Sequence, residues 1–147
     1  MPDKIFLASD HGGIILKEKV LKHFKANNIE IIDLGPKAGE SVDYPDYAEK
    51  LTSAIINNKN SRGILICGTG IGMSIAANKV SGIRATLVWS EFTAEMSREH
   101  NNSNVLVLGE RVLNHDRAID YADIWFKTEF GGDRHQRRLD KITSLEK

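Results

Sequence analysis

Apolar side chains fall along this chain in five short, nearly continuous runs, at residues 5–8, 29–34, 63–67, 85–89 and 105–108. Ile, Leu, Val and Phe fill them with little polar alternation, which is how strands covered on both faces of a parallel sheet read. Between the runs the period lengthens. Ile14, Leu16, Val20, Leu21 and Phe24 recur at helical spacing, as do Tyr47, Leu51, Ala54 and Ile55. Further helices are expected over residues 75–80, 92–100 and 118–126, with a last, basic helix over 134–145. Strand then helix, five times over, predicts an α/β fold built on a doubly wound, five-stranded parallel sheet. The two longest polar stretches, 35–43 and 57–62, read as loops inside one domain spanning 1–147.

In such sheets ligands bind beyond the carboxyl ends of the strands, so the residues leaving each strand are the ones to inspect. They are Ser9-Asp10-His11-Gly12-Gly13, Cys67-Gly68-Thr69-Gly70-Ile71-Gly72, Ser90-Glu91 and Gly109-Glu110-Arg111. Gly68, Gly70 and Gly72 alternate through a loop that opens a helix. Backbone amides there can converge on a phosphate, or on an oxyanion formed only during reaction. A dinucleotide fingerprint fails on spacing, because Met73 stands where its third glycine belongs.

Cys67, immediately before this loop, is the only cysteine, so no intrachain disulfide forms. It reads either as a small buried hydrophobe or as a reactive thiol, whose pKa of about 8.5 a helix N-terminus lowers. The adjacent glycine loop favours the reactive thiol. Asp10-His11 and His100-Asn101 are the other ionisable pairs, and histidine exchanges protons readily near neutrality. His23 is expected on a solvated helix face, and His115 at a helix start. In Arg134-His135-Gln136-Arg137-Arg138, Arg134 and Arg138 share a helix face. That suits a phosphate or a merely solvated surface.

Composition narrows the partners. Hydrophobic residues make up 41% and charged residues 27% of the chain, with 20 Lys+Arg against 20 Asp+Glu. A net charge of zero gives no global field for nucleic acid or membrane. A lone cysteine, an N-terminus without signal-peptide character and the absence of a run of about 18 apolar residues together predict a cytoplasmic location.

The stretch from Cys67 to Lys79 with Gly82-Ile83-Arg84-Ala85, together with the Ser9–Gly13, Asp43–Ala48, His100–Leu106, Leu108–Arg111 and Arg134–Arg138 motifs, closely resembles the B-type ribose-5-phosphate isomerases. That family includes allose-6-phosphate isomerases and the subunits of galactose-6-phosphate isomerase. The likeness covers essentially the whole chain. It implies a Rossmann-like three-layer α/β/α sandwich that works as a homodimer or homotetramer with active sites between subunits. It further implies aldose–ketose isomerisation of a sugar phosphate through an enediolate, with no metal or other cofactor. Under it Cys67 is the base, and Gly68, Gly70 and Gly72 belong to the anion hole. Thr69 and His100 open the sugar ring, Asp10 handles hydroxyl protons, and Asn101 contacts the reacting oxygens. His11, Arg111, Arg134 and Arg138 take the phosphate, and Tyr44 lines the pocket. A six-carbon sugar phosphate is the alternative substrate, and a non-catalytic phosphosugar sensor the alternative class. Two departures stand out. Met73 occupies the position of a carboxylate base used in one branch, and Asp133 is inserted between the glycine pair and Arg134, to which it offers an internal partner.

Overall fold

The computed structural model describes residues 1–146. Five strands, β1 (Lys4–Ser9), β2 (Ile32–Asp33), β3 (Ser61–Cys67), β4 (Ala85–Leu87) and β5 (Val105–Gly109), form one sheet in the order β2-β1-β3-β5-β4. Every pairing is parallel, with Ser9 opposite Ile66 and Cys67 opposite Gly109 at the carboxyl edge. Six helices accompany the sheet: α1 (Ile14–Ala26), α2 (Tyr44–Ile56), α3 (Ile71–Ala77), α4 (Glu91–Glu99), α5 (His115–Lys127) and α6 (Arg134–Thr143). A single 3₁₀ turn, His11–Gly13, joins β1 to α1.

The strands read as continuous apolar runs because both faces are covered. Ile5, Leu7, Ile64, Ile66, Leu106 and Leu108 meet Leu16, Val20 and Phe24 of α1, Ala94 of α4, and Ala118, Ala122 and Trp125 of α5. Alternate residues Phe6, Ala8, Leu65, Cys67, Val105 and Val107 meet Ala48, Leu51 and Ile55 of α2 and Met73 and Ala77 of α3. Period-two alternation thus feeds two cores, one on each side. Trp125 is wholly buried, donating to Ser103 Oγ at 3.2 Å, whereas Trp89 beyond β4 is 65% exposed. Among the described residues no helix is long and apolar enough to cross a membrane.

Some expected boundaries move. The run 29–34 yields only Ile32–Asp33 as strand, because β2 is an edge paired on one side alone. Ile29 is drawn back by its amide bond to Phe24 O at 2.9 Å, and Ile29 and Ile31 pack on the α1 core. Asp33 instead receives the buried Lys17 ammonium at 2.9 Å. Helix α3 begins at Ile71, four residues earlier than apolar spacing predicts, since the glycine loop turns directly into it. His23 is half-buried rather than solvated: its Nε2 lies 2.9 Å from Asp123 and ties α1 to α5.

The chain leaves β1 for α1 on one face and β3 for α3 on the other. Neighbouring strands whose helices depart to opposite sides open a crevice at their carboxyl ends.

Candidate active site

Three strand exits are stitched together at this crevice. Asp10 N donates to Ile66 O, Glu110 N to Cys67 O at 2.9 Å, and Arg111 N to Gly68 O at 2.9 Å. Asp10 caps the 3₁₀ turn, its Oδ1 accepting from Gly12 N at 2.8 Å. A methyl group built on Gly12 would sit 3.2 Å from Asp10 Oδ1, 3.4 Å from Gly68 N and 3.5 Å from Arg111 Nη2. A carboxylate, a loop amide and a guanidinium therefore converge on one small space. Arg111 lies over Gly68, whose missing side chain allows that approach.

Cys67 is 5% exposed, on the α2–α3 side of the sheet. Its Sγ accepts from Gly70 N at 3.2 Å, and Thr69 Oγ1 accepts from Ile71 N at 3.2 Å. Gly70 takes the left-handed conformation (φ 80°) that folds the loop around the sulfur. Ser74 N closes on Gly70 O, which leaves the amides of the first turn, Gly72 among them, without intrahelical acceptors. The three glycines thus differ in what they do. Gly70 spends its amide on the sulfur, and Gly72 makes room for the Tyr44 ring, whose Cε1 lies 2.5 Å from where a methyl would stand. Met73 points fully into the core. His11 Nδ1 sits 3.0 Å from Val42 O and 3.2 Å from Val42 N, pinning the segment that leads to Tyr44.

The remaining expected residues lie elsewhere. Helix α4 starts beyond β4 and runs back against the strand direction, so its 9 residues carry His100 and Asn101 about 14 Å to the amino end of the sheet. Helix α5 makes the same return, and α6 with Arg134 and Arg138 follows there. Gly131 N donates to Glu99 O at 2.9 Å, and the rings of His100 and His135 stack 4.1 Å apart. Partial desolvation, then His100 and the charges of Arg134 and Arg138, hold the His135 imidazole below its usual range, against an opposing pull from Glu99. Asp133 makes no ion pair with Arg134 among the described residues; it opens α6 with φ at 49°. One chain therefore gathers Asp10, His11, Tyr44, Cys67, Gly68, Thr69, Gly70, Gly72 and Arg111 at one end, and His100, Asn101, Arg134 and Arg138 at the other.

Residues 5–142 match the family described as Ribose/Galactose Isomerase. This chain belongs to the ribose/galactose isomerase family. It is 43% identical over 143 residues to ribose-5-phosphate isomerase B of Escherichia coli, covering 97% of this chain and 96% of that one. Among solved structures it is similar to ribose-5-phosphate isomerase B of Clostridium thermocellum, with a TM-score of 0.94, 50% identity and 97% of each chain covered. It is also similar to the Mycoplasma genitalium enzyme with bound ribulose-5-phosphate (TM-score 0.92, 45% identity, 97% of this chain and 95% of that one). The chain is thus a sugar-phosphate aldose–ketose isomerase with the three-layer fold of these enzymes.

This isomerase also contains supporting residues to which the sequence assigns no role. Glu110 Oε1 accepts from Leu16 N at 2.6 Å, fastening the Arg111 loop to α1. Arg62, Arg84 and Arg98 cluster at the opposite end of the sheet. Several of their partners are backbone groups distant in sequence, Leu16 N for Glu110, Phe126 O for Arg62, Asn102 O for Arg84 and Thr128 O for Arg98, which leave no motif; adjacency to Arg111 was the one available sign for Glu110. Among the described residues no three His, Cys, Asp or Glu side chains gather as a metal cage requires.

Proposed function

We propose that this isomerase interconverts ribose 5-phosphate and ribulose 5-phosphate, with Cys67 as the carbon acid's base. The observation that carries this reading is the Cys67 sulfur held beside the Gly70 amide at the switch point, with Asp10 and Arg111 meeting next to it. Thr69 and His100 open the furanose ring. The Cys67 thiolate then removes the C2 proton, and the electron pair flows through C1 onto the carbonyl oxygen, giving the enediolate. Asp10 relays the hydroxyl proton between the two oxygens as Asn101 contacts them. The Cys67 thiol returns its proton to C1, which completes the ketose. Amides of Gly68 and Gly72 stabilise the oxyanion, each such donor contributing about 3 kcal/mol, while the Gly70 amide holds the Cys67 sulfur. His11, Arg111, Arg134 and Arg138 anchor the phosphate, so that binding energy at the far end of the sugar holds C1 and C2 against the base. Tyr44 walls the pocket.

The site is completed by a second copy. His100, Asn101, Arg134 and Arg138 cannot reach Cys67 of their own chain, but a two-fold partner presents them to it. The exposed apolar residues Ile71 and Ile75, one turn apart on α3, and Ile142 on α6 provide the surface for that association. The ligand-bound Mycoplasma genitalium relative supports a five-carbon substrate.

The test is Cys67→Ala. Turnover should fall by about 10²–10⁴-fold, the range a positioned base supplies, with substrate binding nearly unchanged. Incorporation of solvent deuterium at C1 or C2 should stop with it. A Cys67→Ala protein that isomerises at the full rate removes the mechanism, and a faster rate on a six-carbon aldose phosphate removes the substrate.

A further inference from the structure

We propose that Arg98 is a positioning residue for the half-site that a subunit lends to its partner, acting by clamping Asn102 and the α5–α6 connection; this rests on the two-subunit site above. Arg98 sits in the last turn of α4 and is only 5% exposed. Its Nη1 donates to Asn102 Oδ1 at 2.9 Å and to Ser103 O, and its Nε donates to Thr128 O at 3.2 Å. Asn102 is left-handed (φ 46°), and its remaining backbone groups are also held: its N–H donates to Arg98 O at 3.1 Å, and its carbonyl accepts from Arg84 Nε at 3.0 Å. Arg84 N in turn donates to Asn104 Oδ1 at 2.7 Å.

His100 and Asn101 lie between these two fixed points. Neither side chain hydrogen-bonds within the chain among the described residues, and Asn101 is exposed, so their polar groups remain available to a neighbour. The bond to Thr128 O extends the clamp to the segment that leads into α6 and its arginines. One guanidinium therefore sets where both elements carrying His100, Asn101, Arg134 and Arg138 stand.

The cluster makes little sense as a fold stabiliser alone. Arg62, Arg84 and Arg98 are close enough to repel one another, and among the described residues none lies within ion-pair distance of a carboxylate, although Glu146 attracts Arg84 from further off. Burial and those two neighbouring charges lower the Arg98 pKa to about 10. The compensation comes from carbonyls at helix ends: Arg62 Nη1 donates to Phe126 O at 3.3 Å in the last turn of α5, while Arg98 and Arg84 take those after α5 and α4. Desolvated like charges are retained where a fork of donors must hold several acceptors in fixed relation.

The experiment is subunit complementation. Arg98→Lys keeps the charge but cannot span Asn102 and Thr128 together. As a folded dimer it should lose about 10²-fold in kcat, the cost of an ångström-scale misplacement. Refolded together with Cys67→Ala, it should recover about a quarter of wild-type activity: random pairing makes half the dimers hybrid, and each hybrid has one intact site of two. His100→Ala with Cys67→Ala serves as the reference pair. If the reference pair recovers activity and the Arg98→Lys pair does not, Arg98 serves its own subunit's fold and the proposal fails. Full kcat for Arg98→Lys alone also overturns it. If the reference pair stays inactive, the two-subunit site itself falls, and the Arg98 role with it. Should Arg98→Lys not fold, Asn102→Gly keeps the left-handed turn and removes only the Oδ1 anchor; it should lower kcat severalfold and complement in the same way, and unchanged kcat there refutes the clamp.

Discussion

The Tyr44 ring rests on Gly72 so closely that even a methyl would strike it, 2.5 Å from Cε1. Tyr44 is 39% exposed, so it can swing outward at small cost. Gly72→Ala should therefore reduce kcat/KM while changing thermal stability by less than about 1 kcal/mol. Adding Tyr44→Ala should bring little further loss, a non-additivity that a double-mutant cycle measures. A second single-residue prediction concerns His135. Its protonation is disfavoured in the folded chain by desolvation, His100, Arg134 and Arg138. The unfolded chain thus binds its proton more readily, and this contribution to stability is lost as pH falls from about 6.5 through the lower folded value. In an NMR titration the His135 midpoint should lie below that of a model imidazole, and Arg138→Gln should raise it. Residues of this kind divide sharply in how legible they are. Asp10, Cys67 and Arg111 stand at strand exits in short recognisable strings, so their place at one edge of the sheet is legible before the fold is known. Glu110 and Arg98 act on the amide of Leu16 and the carbonyl of Thr128, and no sequence pattern encodes a side chain's bond to remote backbone.

At the scale of elements, apolar runs located every strand, because burial on two faces demands uninterrupted Ile, Leu and Val. They overstated β2, where an edge position removes one partner and the chain follows α1 back into the core. They also placed α3 late, because Gly70 and Gly72 carry no hydropathy signal although the helix begins between them. Helix α6 brings a different strain. Asp133, before it, holds φ at 49° and ψ at −125°, a conformation glycine adopts freely and aspartate does not. Asp133→Gly should therefore stabilise the protein by about 1 kcal/mol in denaturant titrations, net of the greater freedom of the unfolded chain. Since Asp133 does not pair with Arg134, phosphate affinity should not change with it.

For the whole molecule, the decisive fact is that the expected site residues divide between the two ends of one sheet. Nothing in the hydropathy pattern reveals this, because strand order and helix return emerge only when the crossovers are laid out. Knowing that α4 runs against the strands is enough to move His100 to the far end. In the proposed dimer, the surface that closes the gap includes the exposed Ile71 and Ile75. Ile75→Glu should yield a monomer by sedimentation with unchanged far-ultraviolet dichroism, and activity should drop with the loss of dimer. A fully active monomer would return the chemistry to a single chain.

The contrast between the two tryptophans has a spectroscopic consequence. Trp125, sealed against the sheet, should emit at short wavelength and be untouched by iodide, whereas the solvated Trp89 should emit further to the red and be quenched. The protein's native light therefore resolves into one signal that changes only when the interior opens and another that answers to events at the rim.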